Sequence, residues 1–399
     1  MTDYLLIIFC VIIILSYIFD ITSKYTKIPG VILLILTGMA INVLADFFGI
    51  HVPNLSVMLP FMGTLGLILV VLESSLDLSI SADKRNLILA SIASALLLFF
   101  VFVGLFTWIC VSFLNLDIRP SMLNSIPLAV ISSTVAISAA GNLSLRDREF
   151  ITYESAISVI IGILVFDFVL LGKGSIGVGV IGFIAELIVT VIASILLSTG
   201  LAVLLHKINH SVKYIVIMTA IVLVYASAKL IHMPSLLVVL IFGLIMNNTH
   251  FFKNKLPTRF INFDDFITEL TSFRYITGEI SFVIRSFFFI LFGYYTSIAD
   301  LLNLKNVTLS LFIVFCILLI RALFLLGTRH SLSPLLFFAP RGLITILLFL
   351  SIPESMMLPF MNEGIISQVI FITIIIMMTG NIFYKKTHAP GPSATSPLP

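Results

Sequence analysis

The sequence predicts an all-α integral membrane protein of about thirteen transmembrane helices, built as inverted repeats with two discontinuous helices that cross. Three observations predict it. Hydrophobic residues make up 60% of 399 and charged residues 10%, against roughly 25% charged in a soluble domain. Apolar runs of about 20 residues, the length that crosses a bilayer, recur from one end to the other. Two of those runs carry proline, glycine and hydroxyl residues near their centres, where an uninterrupted lipid-facing helix has no use for them.

Taken in order, the runs fall at about 4–20, 28–45, 56–75, 87–114, 121–141, 150–171, 176–205, 214–228, 234–247, 279–298, 306–327, 331–352 and 363–384. The eighth and ninth are short and the fourth and seventh long, as tilt and local thinning allow. The stretch from 248 to 278 reads as the longest loop, and within it "FDDFITELTSFRYI" mixes aromatic and charged residues. It fits either a helix lying on the membrane surface or an ordinary connection. After Lys386 the chain becomes "THAPGPSATSPLP", with nothing to bury, and residues 387–399 are expected to be disordered. Residues 1–386 then form one membrane domain, with repeats at about 4–171 and 214–384. No basic segment precedes the first run and no small-residue cleavage site follows it, so that run is expected to stay as a helix.

The distribution of basic residues tests the span count. Odd-numbered loops and the C-terminus carry fourteen: Lys24, Lys27, Lys84, Arg85, Arg146, Arg148, Lys207, Lys213, Lys253, Lys255, Arg259, Arg329, Lys385 and Lys386. Even-numbered loops carry four: Arg119, Lys173, Lys229 and Lys305. The asymmetry puts the N-terminus outside and the C-terminus in the cytoplasm.

Ionisable residues inside a membrane cost at least about 2.5–3.5 kcal/mol and so face a bundle interior or mark function. Glu73 lies near the cytoplasmic end of the third span, Glu154 and Asp167 in the sixth, Glu186 in the seventh, Arg285 in the tenth, Arg321 in the eleventh and Arg341 in the twelfth. Glu73, Arg285 and Asp167 sit close enough to helix ends to snorkel. No motif surrounds Glu186. Arg341 is mid-helix, and Glu154 is the natural acid to neutralise it, because an unpaired buried charge costs far more than a hydrogen-bonded pair. Cys10, Cys110 and Cys316 lie in separate runs and offer neither a disulfide nor metal-ligand spacing.

The fifth span contains "IPLAVISSTVAISAAGN" (126–142) and the twelfth contains "FFAPRGLIT" (337–345). Pro127 and Pro340 each remove a backbone donor, and Gly342 loosens the chain. Seven spans separate them, an odd number, so they enter from opposite sides, which is the arithmetic of inverted repeats whose broken helices handle ions at the midplane. Ser132, Ser133 and Thr134 then supply oxygens of the kind hard cations prefer. Ser155 and Ser158 fall just cytoplasmic of the middle. Asp167, eight residues beyond Val159, falls about 12 Å toward the outside.

Four segments, "LGLILVVLESSLDL", "FVIRSFFFILFG", "LLIRALF" and above all "APRGLITILLFLSIP", resemble those of the sodium/proton exchanger family in the monovalent cation:proton antiporter superfamily. The resemblance covers nearly the whole chain to about Tyr384. It implies a membrane antiporter of sodium or potassium and protons with no cofactor, a homodimer, and a place in the cell (inner) membrane. Glu73, Ser155 and the broken fifth span would line its cation site, and Glu154 and Arg341 would tie the sixth span to the twelfth. Ser132, Ser133 and Thr134 stand where many exchangers have Thr-Asp-Pro and some relatives Ser-Ser-Thr. One departure stands out: exchangers of this kind follow the Glu-Ser of the sixth span with an Asn-Asp pair or a similar one, and here Ser158 and Val159 occupy those places. Valine neither titrates nor ligates, which leaves Glu73 or Asp167 to carry cation and proton in turn.

Two readings therefore stay open, cation:proton antiport and a transport-deficient regulatory or channel-like relative. An intramembrane enzyme is disfavoured: there is no Gly-x-Gly-Asp with a facing aspartate, no His-Glu-x-x-His, and the seven histidines are scattered in loops and termini. Nothing resembles a phosphate loop or a nucleic-acid reader.

Overall fold

The computed structural model describes residues 2–26, 28–49, 55, 57–78, 84–171, 185, 188–201, 212–231, 233–248, 263–328 and 332–384. Among them every regular element is a helix, with no strand. The helices are α1 (Thr2–Thr26), α2 (Gly30–Phe48), α3 (Met58–Asp77), α4 (Arg85–Leu114), α5 (Ile118–Ala129), α6 (Ser133–Ala139) and α7 (Leu145–Leu171). There follow α8 (Ile188–Leu201), then α9 (Lys213–Leu230), α10 (Ser235–Asn247), α11 (Phe263–Tyr295), α12 (Ile298–Leu302), α13 (Leu304–Gly327), α14 (Leu343–Leu350) and α15 (Glu363–Phe383). Ten helical segments among the described residues are long and apolar enough to cross a membrane. Two shorter apolar helices, α8 and α10, and the interrupted segment 332–350 occupy the remaining expected spans. Glu186 and residues 387–399 lie outside the described residues.

Local chemistry sets the helix ends. Gly49 takes a left-handed conformation (φ 63°) and donates its N–H to Ala45 and Asp46 carbonyls, closing α2 as glycine does at no steric cost. The side-chain oxygens of Asn303 and Asn362 accept from Lys305 N at 3.0 Å and Ile365 N at 2.9 Å, which supplies partners for otherwise orphaned N–H groups at the starts of α13 and α15.

Helix packing sorts the chain into two groups. In one, α11 packs along α2 and α3, and α3 packs along α10. The backbones of α2 and α11 approach so closely that a Cβ on Gly38 would lie 2.1 Å from the Ile290 carbonyl oxygen, and one on Gly293 would lie 2.1 Å from that of Ile35. In membranes such small residues let helices gain dispersion contact where lipid gives no hydrophobic drive. In the other group, α4, α5 and α7 pack together and α13 lies against α4 and α15. Gly162 of α7 admits Val130, whose Cγ2 would be 2.2 Å from an added Cβ.

One expectation about the spans is corrected. The described part of the 248–278 stretch is neither a loop nor a separate surface helix, because Phe263 to Tyr295 is one continuous helix of 33 residues. Leu270, Phe273 and Thr277, spaced three and four apart, are buried on one face. Glu269 beside them pairs with Lys213 at 2.5 Å and accepts from the Tyr214 hydroxyl at 2.5 Å, so the charge that suggested a surface element is neutralised by α9. The twelfth span is interrupted, as Pro340 and Gly342 imply, and is helical only at Leu343–Leu350. Residues 333–342 form turns and extended chain, since Pro334 and Pro340 lack donors and disfavour helix in the residue before them.

Candidate functional site: the crossing and its funnel

The fifth span is broken as its prolines and hydroxyls imply. Ala129 ends α5, Val130 to Ser132 are extended, and Ser133 starts α6. Every buried backbone group released by such a break needs a partner, and here those partners assemble the site. Ile131 N–H donates to the Ser158 hydroxyl of α7 at 3.0 Å. Ser132 N–H donates to the Pro340 carbonyl at 2.8 Å, so the two interrupted segments meet backbone to backbone. The approach leaves no room for a side chain at Gly342, where a Cβ would lie 2.6 Å from the Ser132 hydroxyl oxygen.

Arg341 joins the two segments rather than pairing with a carboxylate. Its Nε donates to the Leu128 carbonyl at 2.6 Å and its Nη1 to the Ala339 carbonyl at 3.2 Å, while its own N–H donates to Thr373 at 3.1 Å. The ion pair expected between Glu154 and Arg341 is corrected accordingly: the partner of Glu154 is Arg321. Arg321 Nη1 reaches Oε1 at 3.0 Å and Nη2 reaches Oε2 at 2.7 Å, a two-pronged fit suited to the guanidinium fork. Ser94 adds a 2.5 Å hydrogen bond to Oε1, and Arg321 Nε donates to the Leu335 carbonyl at 2.7 Å. Glu154 and Arg321 are each 1% exposed, and their contacts bind α7, α13, α4 and the extended 333–342 segment into one block. The physical reason for the exchange of partners is that a broken helix frees carbonyls at its own depth, and the arginine beside the break satisfies them first.

Beside the crossing lies a cavity of about 260 Å³, lined by Glu73, Ser74, Ser132, Ser133, Thr134 and Arg285 among others. At about 30 Å³ per molecule it has room for several waters. Glu73 Oε2 accepts from Ser281 at 2.8 Å and from Arg285 Nη1 at 3.2 Å. The Ser74 and Ser133 hydroxyls lie 2.9 Å apart. Glu73 and Ser74 come from the α2, α3, α10, α11 group, and Ser132, Ser133 and Thr134 from the break between α5 and α6 and the start of α6, so the funnel follows the seam between the two groups.

Over residues 10–383 the chain matches the family model described as sodium/hydrogen exchanger, transmembrane. The chain belongs to the sodium/hydrogen exchanger family. No curated protein sequence matches it. Two solved structures of the sodium proton antiporter MjNhaP1 from Methanocaldococcus jannaschii are similar in fold. The structure at pH 8 is 18% identical with a TM-score of 0.70, over 94% of each chain. An electron-microscopy map gives 19% identity and a TM-score of 0.67, over 96% of this chain and 95% of that one.

Measured against what family resemblance implies, this exchanger-family chain gathers only part of the expected set. Glu73, Ser132, Ser133 and Thr134 share the funnel. Ser155 does not line it, and its hydroxyl donates to the Thr152 carbonyl of its own helix at 3.2 Å. Ser158 is engaged with Ile131 and lines a separate cavity of about 20 Å³ between Arg321 and Arg341. Asp167 stands near the far end of α7 and lines neither cavity. Val159 is buried in the apolar core. The Arg285 partner of Glu73 was visible in the sequence as an intramembrane charge but not as a pair, because the two are 212 residues apart.

Proposed function

We propose that the chain exchanges a monovalent cation, sodium or potassium, for protons across a cell membrane, with Glu73 and the hydroxyls and freed backbone of residues 132–134 as the transport site. The observation that carries this reading is the water-accessible funnel that ends on the crossing of two interrupted segments beside a carboxylate. A carboxylate can hold a cation or a proton but not both, and the two states alternate when its surroundings change. Glu73 and the hydroxyls belong to different helix groups, so relative motion of the groups, as inverted-repeat transporters use, would take apart and rebuild the ligand set. With the N-terminus outside, the funnel opens to the cytoplasm. A homodimer in the cell (inner) membrane, repeats at 4–171 and 214–384, and a supporting role for Ser155, Ser158 or Asp167 belong to the same proposal.

The buried Val159 favours a second reading, a relative that binds cations without exchanging them, since the α5–α7 side of the funnel, which supplies the hydroxyls of 132–134, contributes no titratable acid to it. Reconstitution into proteoliposomes with an imposed pH gradient separates the two. Antiport predicts that added sodium or potassium dissipates the gradient in the parent protein. No dissipation in the parent, with a gain in Val159→Asp, would establish the second.

A further inference from the structure

Helix α1 is lipid-facing over most of its surface, with Leu6, Ile7, Val11 and Ile14 exposed. Ser16, Asp20 and Ser23, four and three residues apart and so on one face, instead line the funnel, near Pro29 and Gly30 at the turn into α2. The protons of these hydroxyls are committed. Ser16 donates to the Ile12 carbonyl at 2.7 Å and Ser23 to the Asp20 carbonyl at 2.6 Å. Across the funnel Ser138 donates to Val135 at 3.0 Å and Ser286 to Phe282 at 2.9 Å. A hydroxyl has one proton and two lone pairs, so each of these oxygens is left as an acceptor toward the cavity. The guanidinium of Arg285 is turned to Glu73. This part of the wall, around Ser16, Ser23, Ser138 and Ser286, therefore offers lone pairs where an anion would need donors. Among the described residues the Asp20 carboxylate has no hydrogen-bond or ion-pair partner.

We propose that Asp20, with the Ser16 and Ser23 oxygens, forms an outer station for a hydrated monovalent cation at the mouth of the funnel, ahead of Glu73. This rests on the reading of the funnel as the cation path. A low-dielectric cleft of one sign focuses field and concentrates counter-ions, and the station raises cation occupancy of the inner site without itself being required for turnover.

Two readouts on the full-length protein test it. One is thermal stabilisation in detergent by sodium chloride against choline chloride at constant ionic strength. The other is sodium-driven dissipation of a pH gradient in proteoliposomes. Asp20→Asn raises the sodium concentration for half-maximal stabilisation by roughly tenfold, the lower end of what a focused field gives. The plateau stays unchanged and Asp20→Glu restores the parent value. If exchange is absent but this shift is found, the antiport reading fails and the station stands. If exchange is present and Asp20→Asn matches the parent in both readouts, the station is overturned. If neither sodium nor potassium stabilises the parent beyond choline and neither dissipates the gradient, both fall.

Discussion

Glu154→Gln is the sharpest test of the block that holds the crossing together. The glutamine keeps one oxygen for Arg321 but removes the charge and turns an NH2 group toward the second guanidinium nitrogen. Two charge-assisted bonds, at 3.0 and 2.7 Å, are weakened or lost, each contributing about 1.5–3 kcal/mol. The Ser94 bond at 2.5 Å loses its charged acceptor. Breaking a buried pair from one side costs about 3–5 kcal/mol because the other charge stays behind, and the two routes agree. Heating the detergent-solubilised protein and following the monodisperse fraction measures the loss. Adding Arg321→Met to Glu154→Gln should recover part of it, since no uncompensated charge remains. Adding Arg341→Met should deepen it, because the Leu128 and Ala339 carbonyls then lose their donor. Rescue by Arg341→Met and not by Arg321→Met would refute the pairing.

Three further outcomes follow from the packing. Gly38→Val drives a side chain into the Ile290 carbonyl and should destabilise by about 3 kcal/mol or more, since backbone cannot repack as side chains do; near-parent thermal stability would show that α2 and α11 do not approach as described. Ser158→Ala leaves the buried Ile131 N–H without its acceptor and should cost about 1–3 kcal/mol, read as faster amide exchange at the break, whereas unchanged exchange would place that hydrogen bond elsewhere. Lys84 and Glu149, paired at 2.7 Å with side chains 39% and 38% exposed, form a surface pair, so Glu149→Gln should change stability by no more than about 1 kcal/mol; a larger loss would mean the N-terminal ends of α4 and α7 depend on it.

How far the sequence could be read depended on the range of the interaction. Span positions are local and were legible, since they need only the run of apolar residues. The two breaks were legible for the same reason, because Pro127, Pro340 and Gly342 act on their own backbone. Partner choice was not. Glu154 has two buried arginines within reach of the argument, and depth along a helix does not distinguish Arg321 from Arg341; what decides is that the freed Leu128 and Ala339 carbonyls claim Arg341, a fact of the crossing itself. Ser155 shows another limit, since a hydroxyl in a membrane helix can turn to its own carbonyls, and its neighbours in sequence do not reveal which way it turns. The long α11 was hidden because Lys213 and Tyr214, which neutralise Glu269, lie more than fifty residues away, where no local pattern reports them.

The central claim is that water and cations reach the oxygens at the break of the fifth span through the funnel. Thr134 lines that funnel, and the cysteines to be replaced first are Cys10, Cys110 and Cys316. In that background Thr134→Cys should react with a membrane-impermeant thiol reagent from the cytoplasmic side, and sodium or potassium, but not choline, should slow the reaction. A thiol at 134 that reacts from neither side, or at a rate indifferent to the cation present, would contradict it.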